Sequence, residues 1–133
     1  MQEAIQPADW VRPRGYSNGI AVSGSGKTLH VAGQIGSNAQ GVVESDDFGA
    51  QIAQAFGNVV RIVKEAGGQP SDIVRMVWYI TDKSAYRAGG AAMAAAYRES
   101  IGKHFPAITV IFVSALVDDR AKVEIEATAF ISG

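Results

Sequence analysis

Between Lys122 and Ile131 the side chains alternate: Lys122, Glu124, Glu126 and Thr128 are polar, Val123, Ile125, Ala127 and Ala129 apolar. That two-residue period belongs to a strand with one buried face and one wet face, and a slip of one residue would invert it. Just upstream, Phe105-Pro106 stops a helical segment, because proline has no N–H for a helix interior. Ala107-Ile108-Thr109-Val110-Ile111-Phe112-Val113 then forms an almost unbroken apolar run, which predicts a strand over 107–114 buried on both faces. Val117-Asp118-Asp119-Arg120 makes the turn between the two strands.

The rest of the chain is arranged around this pair. Residues 1–15 are polar, carry Pro7 and Pro13, and read as an irregular arm anchored by Trp10, either by packing or by lining a ligand cleft. A first strand is predicted at Ile20–Ser23 and a second at Thr28–Ile35, joined by a Ser23-Gly24-Ser25-Gly26-Lys27 hairpin turn. That turn lacks the spacing of a phosphate loop and opens no helix. Gly33 falls inside the second strand, where a glycine often marks the close approach of another group. Residues 36–45 read as a loop. Asp46 is the expected N-cap of a helix with Phe48, Ile52, Phe56, Val59, Val60 and Val63 on one face, closed by Gly67-Gly68. Ile73–Thr81 is a third strand, with Val77, Trp78, Tyr79 and Ile80 as core or subunit contact. Ser84 is the expected cap of a second helix with Tyr86, Gly90, Met93, Tyr97 and Ile101 on one face, ending at Gly102. The order ββ-α-β-α-ββ predicts an α+β fold, a mixed sheet with two helices on one face, in one domain over 1–133.

Composition narrows the function classes. A net charge of −1 with scattered Lys and Arg disfavours a nucleic-acid footprint. The chain has no cysteine, so neither disulfides nor thiol chemistry are expected. No apolar run reaches membrane-span length, and Met1-Gln2-Glu3-Ala4 does not begin a signal peptide, so a cytoplasmic location is the expectation. Only 19% of residues are charged, which favours an oligomer that covers part of the surface. His30 and His104 have no metal spacing. Glu124 and Glu126 share one strand face. Two close carboxylates suit acid–base work; the same pattern fits two solvated groups, or groups paired with Lys122 or Arg120.

Seven stretches carry a resemblance to a known family: Gly15-Tyr16-Ser17, Val31-Ala32-Gly33-Gln34-Ile35, Phe48 with Gln51 and Ala55, Glu65-Ala66-Gly67-Gly68, Tyr79-Ile80-Thr81-Asp82, Phe105-Pro106-Ala107 and Val123-Glu124-Ile125-Glu126-Ala127. Over about residues 15–131 the chain resembles the RidA (YjgF-like) family, the reactive-intermediate imine deaminases. The resemblance implies a chorismate-mutase-like fold and a homotrimer with sheets around a central barrel. It also implies a small-molecule cleft at each subunit boundary, where imines and enamines are hydrolysed to ketones and ammonia without metal or organic cofactor. Tyr16 matches the cleft tyrosine, and Glu124 the glutamate that helps hold the hydrolytic water. Gly33 matches the glycine of a serine–glycine pair whose serine is Ala32 here. Ile108 stands where deaminase members carry an arginine, and Thr109 keeps the small hydroxyl residue after it.

An arginine at that place would grip a substrate carboxylate with two charge-assisted hydrogen bonds; isoleucine offers none. The expectation is therefore a hydrolase for a less acidic or larger apolar substrate, with Ile108 and Glu124 bordering one cleft between protomers. Arg14 or Arg120 is a candidate replacement cation. The alternative is a non-catalytic trimer that binds a small metabolite or regulates. The ribonuclease activity sometimes attached to this family is disfavoured by the missing basic stripe.

Overall fold

The computed structural model describes residues 1–133. Its elements in order are β1 (Gln2–Ile5), β2 (Gly19–Val22), β3 (Gly26–Ile35), α1 (Phe48–Glu65), β4 (Ile73–Ile80), α2 (Lys83–Ala88), α3 (Gly90–Ser100), β5 (Ala107–Phe112) and β6 (Val123–Ser132). Four strands form a mixed sheet in the order β3-β6-β4-β5; only β4 and β5 run parallel. This is an α+β fold with a mixed sheet, as the alternation and helical stripes predict.

The helix-facing side holds the core. Met76, Trp78 and Ile80 from β4 and Val123, Ile125, Ala127 and Ala129 from β6 join Ile52, Phe56, Val59 and Val63 of α1 in one buried cluster. Burying such aliphatic and aromatic side chains stabilises by roughly 1.5–3 kcal/mol each. Phe56 touches Trp78 and Tyr97 edge-on, at ring centroid distances of 5.2 and 5.5 Å, which ties α1 and α3 to the centre of the sheet. Gln51 is buried but fully used: its Nε2 donates to the Ser45 and Arg120 carbonyls, and its Oε1 accepts from the Lys122 N–H. This pins α1 to the loop that enters β6.

Several expectations need correction. The first residues are not irregular: β1 pairs antiparallel with β2 in a separate two-stranded sheet. Accordingly Ser23–Lys27 is not a hairpin turn, because β2 and β3 lie in different sheets. The N-cap of α1 is Asp47, whose carboxylate accepts from the Ala50 N–H. Asp46 instead meets the Arg120 guanidinium at 3.1 Å. The second helix is broken at Gly89 into α2 and α3, and Asp82 rather than Ser84 caps it. Trp10 is no anchor within the chain, being 60% exposed. The largest departure is β5. Its apolar run is not buried on both faces; it forms the edge of the sheet, and Val110, Ile111 and Phe112 stay 36–41% exposed.

Candidate functional site

Register decides which side chains can meet. Tyr79 of β4 lies opposite both Glu124 of β6 and Ile111 of β5, while Met76 lies opposite both Ala127 and Ile108. Paired residues share a face. Glu124 therefore stands on the face away from the helices, with Tyr79. Ile108 stands on the helix face with Met76, packed against the core cluster. The two are also two strands and three residues apart, about 14 Å at ordinary strand spacing. Within one chain they do not border a common pocket.

Around Glu124 the chain builds one compact group. β3 carries a bulge between Val31 and Gln34, so Ala32 and Gly33 together face one residue of β6. Gly33 is pressed against the glutamate: a Cβ there would stand 2.3 Å from Glu124 Oε2 and 2.8 Å from its Cδ. The glycine is what lets this carboxylate lie over the bulge. Gln34 Nε2 donates to the Ala32 carbonyl at 3.0 Å, bracing the same turn.

Glu126, two residues on, is partly exposed and is not paired with Lys122. Its Oε1 accepts a very short hydrogen bond from the Tyr79 hydroxyl. That bond holds the Tyr79 phenol above its ordinary range, with burial and the charges of Glu126 and Glu124 pushing the same way and Arg75 opposing. The two carboxylates are thus unlike: Glu126 is occupied, and Glu124 rests on a glycine.

The remaining positions gather at the other edge. Ser17 forms a parallel bridge to Ala107, donates its N–H to the Pro106 carbonyl at 3.0 Å and its hydroxyl to the Phe105 carbonyl at 2.6 Å. These bonds hold Tyr16 beside the start of β5, 41% exposed, in a recess with Phe105, Arg12 and Asn18. Thr109 is exposed on β5, on the face opposite to Ile108. Tyr16, Ile108 and Thr109 therefore belong to the β5 edge, and Ala32, Gly33 and Glu124 to the β3–β6 edge.

Arg120 does not supply a spare cation. Its guanidinium donates to the Val43 carbonyl and to Asp46, beside the start of α1. His104 is structural, with its Nε2–H donating to the Ile73 carbonyl at 2.6 Å. No cluster of three or more His, Cys, Asp or Glu is placed to hold a metal ion, and no helix is long and apolar enough to cross a membrane. Sequence reasoning missed the Tyr79–Glu126 pairing; the only signal was an aromatic hydroxyl in a strand of the same sheet.

The chain has relatives among known proteins in both sequence and fold. The model of the family described as Endoribonuclease L-PSP matches residues 10–131. A RutC family protein of Pyrococcus horikoshii is 31% identical over 132 residues, 98% of each chain. A 2-iminobutanoate/2-iminopropanoate deaminase of Salmonella typhimurium is 32% identical over 104 residues, 78% of this chain and 80% of the relative. Among solved structures, YyfB of the conserved Rid protein family from Yersinia pestis superposes with a TM-score of 0.84 at 34% identity, covering 98% of both chains. Matched over nearly its whole length in sequence and in fold, the chain belongs to the endoribonuclease L-PSP family, to which the RutC and Rid proteins are its relatives.

Proposed function

We propose that this protein is a Rid-type deaminase whose cleft is assembled from two chains and is built for a small imine or enamine without a carboxylate to be gripped at position 108. The single observation that carries the reading is the Glu124–Gly33 contact: a carboxylate laid over a strand bulge, unclaimed by the tyrosine that occupies its neighbour Glu126.

The chemistry is hydrolysis of a C=N bond. Water adds its oxygen to the imine carbon while Glu124 accepts a proton and passes it to nitrogen. The tetrahedral intermediate then collapses: its hydroxyl proton passes by way of Glu124 to the amine nitrogen, the C–N bond breaks, and a carbonyl and ammonia are left. A carboxylate in hydrogen-bond reach of the water suffices for both transfers. Tyr16 contributes a hydroxyl to the same cleft from the neighbouring chain, with Ala32, Gly33 and Thr109 as its walls and Ile108 at its border, turned toward its own core.

Two observations support assembly. The candidate residues divide between opposite edges of one sheet, and β5 exposes an apolar edge of the kind proteins normally cover. Joining the β5 edge of one copy to the β3–β6 edge of the next is a head-to-tail contact, which forms a ring where its rotation closes. We take that ring to have three subunits and to work in the cytoplasm, as the family resemblance implies.

Position 108 sets the substrate. The arginine of deaminase relatives would give a carboxylate two charge-assisted bonds of roughly 1.5–3 kcal/mol each; Ile108 is instead packed on the protomer's own core. The same observation favours a second reading, a cleft that holds a metabolite without turning it over. The test is ammonia release from 2-iminobutanoate generated in situ. The unaltered protein should accelerate it little. Ile108→Arg should raise the rate at least a hundredfold, the equivalent of one to two such bonds, and Glu124→Ala in that background should remove the gain. No gain from Ile108→Arg would favour the binding reading; rapid release by the unaltered protein would refute the role given to Ile108.

A further inference from the structure

The arm between β1 and Tyr16 contains no helix or strand, yet side chains fix its path. Gln6 Nε2 stands 3.4, 3.5 and 3.3 Å from the carbonyls of Pro7, Trp10 and Val11, and Gln6 Oε1 accepts from Asn18 Nδ2 at 2.8 Å. One glutamine thus gathers the arm and ties it to the segment after Tyr16. Pro13 biases Arg12 toward extended backbone. Gly15, at φ +80°, takes the left-handed turn that leads into Tyr16.

The arm so held carries Arg12 into the wall of the recess that Tyr16, Asn18 and Phe105 also line, about 180 Å³ in volume. Arg12 is exposed and has no ion-pair partner, the chain's one salt bridge being Arg120–Asp46. No carboxylate lines the recess, and neither does the neighbouring cation Arg14. The recess therefore offers one uncompensated guanidinium, whose planar fork suits a carboxylate. Its place decides which carboxylate. Phe105, in the recess wall, is three residues from Ile108, about 10 Å at ordinary strand rise. Ile108 itself is turned toward the helix side. An acid held by Arg12 is thus not the one that an arginine at position 108 would hold beside the C=N bond. It lies further along the substrate, across a spacer.

We propose that Arg12 is a specificity-determining residue, gripping a carboxylate that two or more methylene groups separate from the C=N carbon. The substrate class is an aliphatic imine with a remote acid group, its reacting end toward Tyr16. This rests on the deaminase reading, which supplies the C=N chemistry and puts Tyr16 in the cleft. Such a substrate asks nothing of position 108, so Ile108 is compatible with it.

The test uses 4-oxopentanoate, the carbonyl compound that hydrolysis of such an imine leaves, in calorimetry with the full chain. The expected result is saturable binding. 4-Oxopentanamide, of the same length without the charge, and 2-oxobutanoate, with its acid on the carbonyl carbon, should each bind roughly tenfold more weakly, as the loss of one charge-assisted bond implies. Arg12→Gln should abolish the preference for acid over amide, Arg12→Lys should keep part of it, and Arg14→Gln should keep it whole. Arg12 is exposed, so these chains should melt within about 2 °C of the unaltered one. Equal binding of acid and amide overturns the proposal, as does a preference that survives Arg12→Gln. Binding of 2-oxobutanoate as tight as that of 4-oxopentanoate overturns it equally, and so does no binding of 4-oxopentanoate at all. Binding involves no turnover, so the two readings fail separately. If 4-oxopentanoate does not bind while Ile108→Arg gains Glu124-dependent deamination, the role of Arg12 falls and the deaminase reading stands. If Arg12-dependent binding appears while Ile108→Arg gains nothing, the deaminase reading falls and Arg12 still marks an anion site.

Discussion

The two edges of the four-stranded sheet are finished differently. At the β3–β6 edge, α1 covers the helix-facing side, Gln51 ties the helix to the strand entry through two hydrogen bonds, and a bulge sets Gly33 against Glu124. At the β5 edge, Ser17 and the Pro106 carbonyl secure only the first residue; beyond it Val110, Ile111 and Phe112 lie in the open. One edge is braced on its helix face by α1, and the other leaves its apolar side chains partly exposed. In the proposed assembly, a site divided between such edges takes its precision from the first and is complete only where the second meets another chain.

That contrast can be broken from either side. The largest effect on stability is expected at Gly36, just after β3, where a Cβ would stand 2.5 Å from the Gln51 carbonyl oxygen and 2.7 Å from its Cα. Backbone cannot yield as a side chain does, so Gly36→Ala should cost about 2–3 kcal/mol and lower the melting temperature by roughly 10 °C in calorimetry. An unchanged melting temperature would mean that this edge is not braced. A smaller, different effect is expected at Gly33. The atoms met there belong to the end of the Glu124 side chain, which can swing away. Gly33→Ala should leave the melting temperature within about 2 °C while reducing deamination by the Ile108→Arg variant roughly tenfold, as misplacement of a catalytic group does. Unaltered activity would separate Glu124's position from its function.

The smallest effect concerns Tyr79. Its folded-state pKa is raised above the ordinary 10.0 by the hydrogen bond to Glu126. A group whose pKa is raised on folding contributes stability that is complete below its unfolded value and is lost as pH climbs through the folded one. Denaturant midpoints should therefore be flat up to about pH 10 and fall above it, and Tyr79→Phe should flatten that alkaline slope. A slope unaffected by Tyr79→Phe would assign it to another tyrosine or to the lysines.

Much of this was legible in the sequence where one face is buried and the other wet. The α1 stripe and the alternation of β6 gave their elements to within a residue or so, because every third-or-fourth or every second side chain has the same fate. Legibility ended where the pattern has no such contrast. β1 is short and mostly exposed, so its residues carry no stripe, and its pairing with β2 is non-local. β5 is apolar on both faces, which reads as a central strand; an edge strand kept for a partner chain has the same composition. The Glu126–Tyr79 pairing and the recess of Tyr16 with Phe105 depend on side chains from separate elements, and no spacing encodes them. Family resemblance supplied Tyr16, Ile108 and Glu124 as candidates, and only the register showed that one chain holds them apart.

Mixing two chains tests the divided cleft most directly. The unaltered chain keeps Glu124 but offers no arginine at position 108; a chain carrying both Ile108→Arg and Glu124→Ala has the arginine without the glutamate. Each alone should leave 2-iminobutanoate near its background rate, while co-refolded mixtures should release ammonia rapidly, because the arginine of one chain then faces Glu124 of the next. A mixture that stays at background, while Ile108→Arg alone is active, would contradict the account and place the whole site within a single chain.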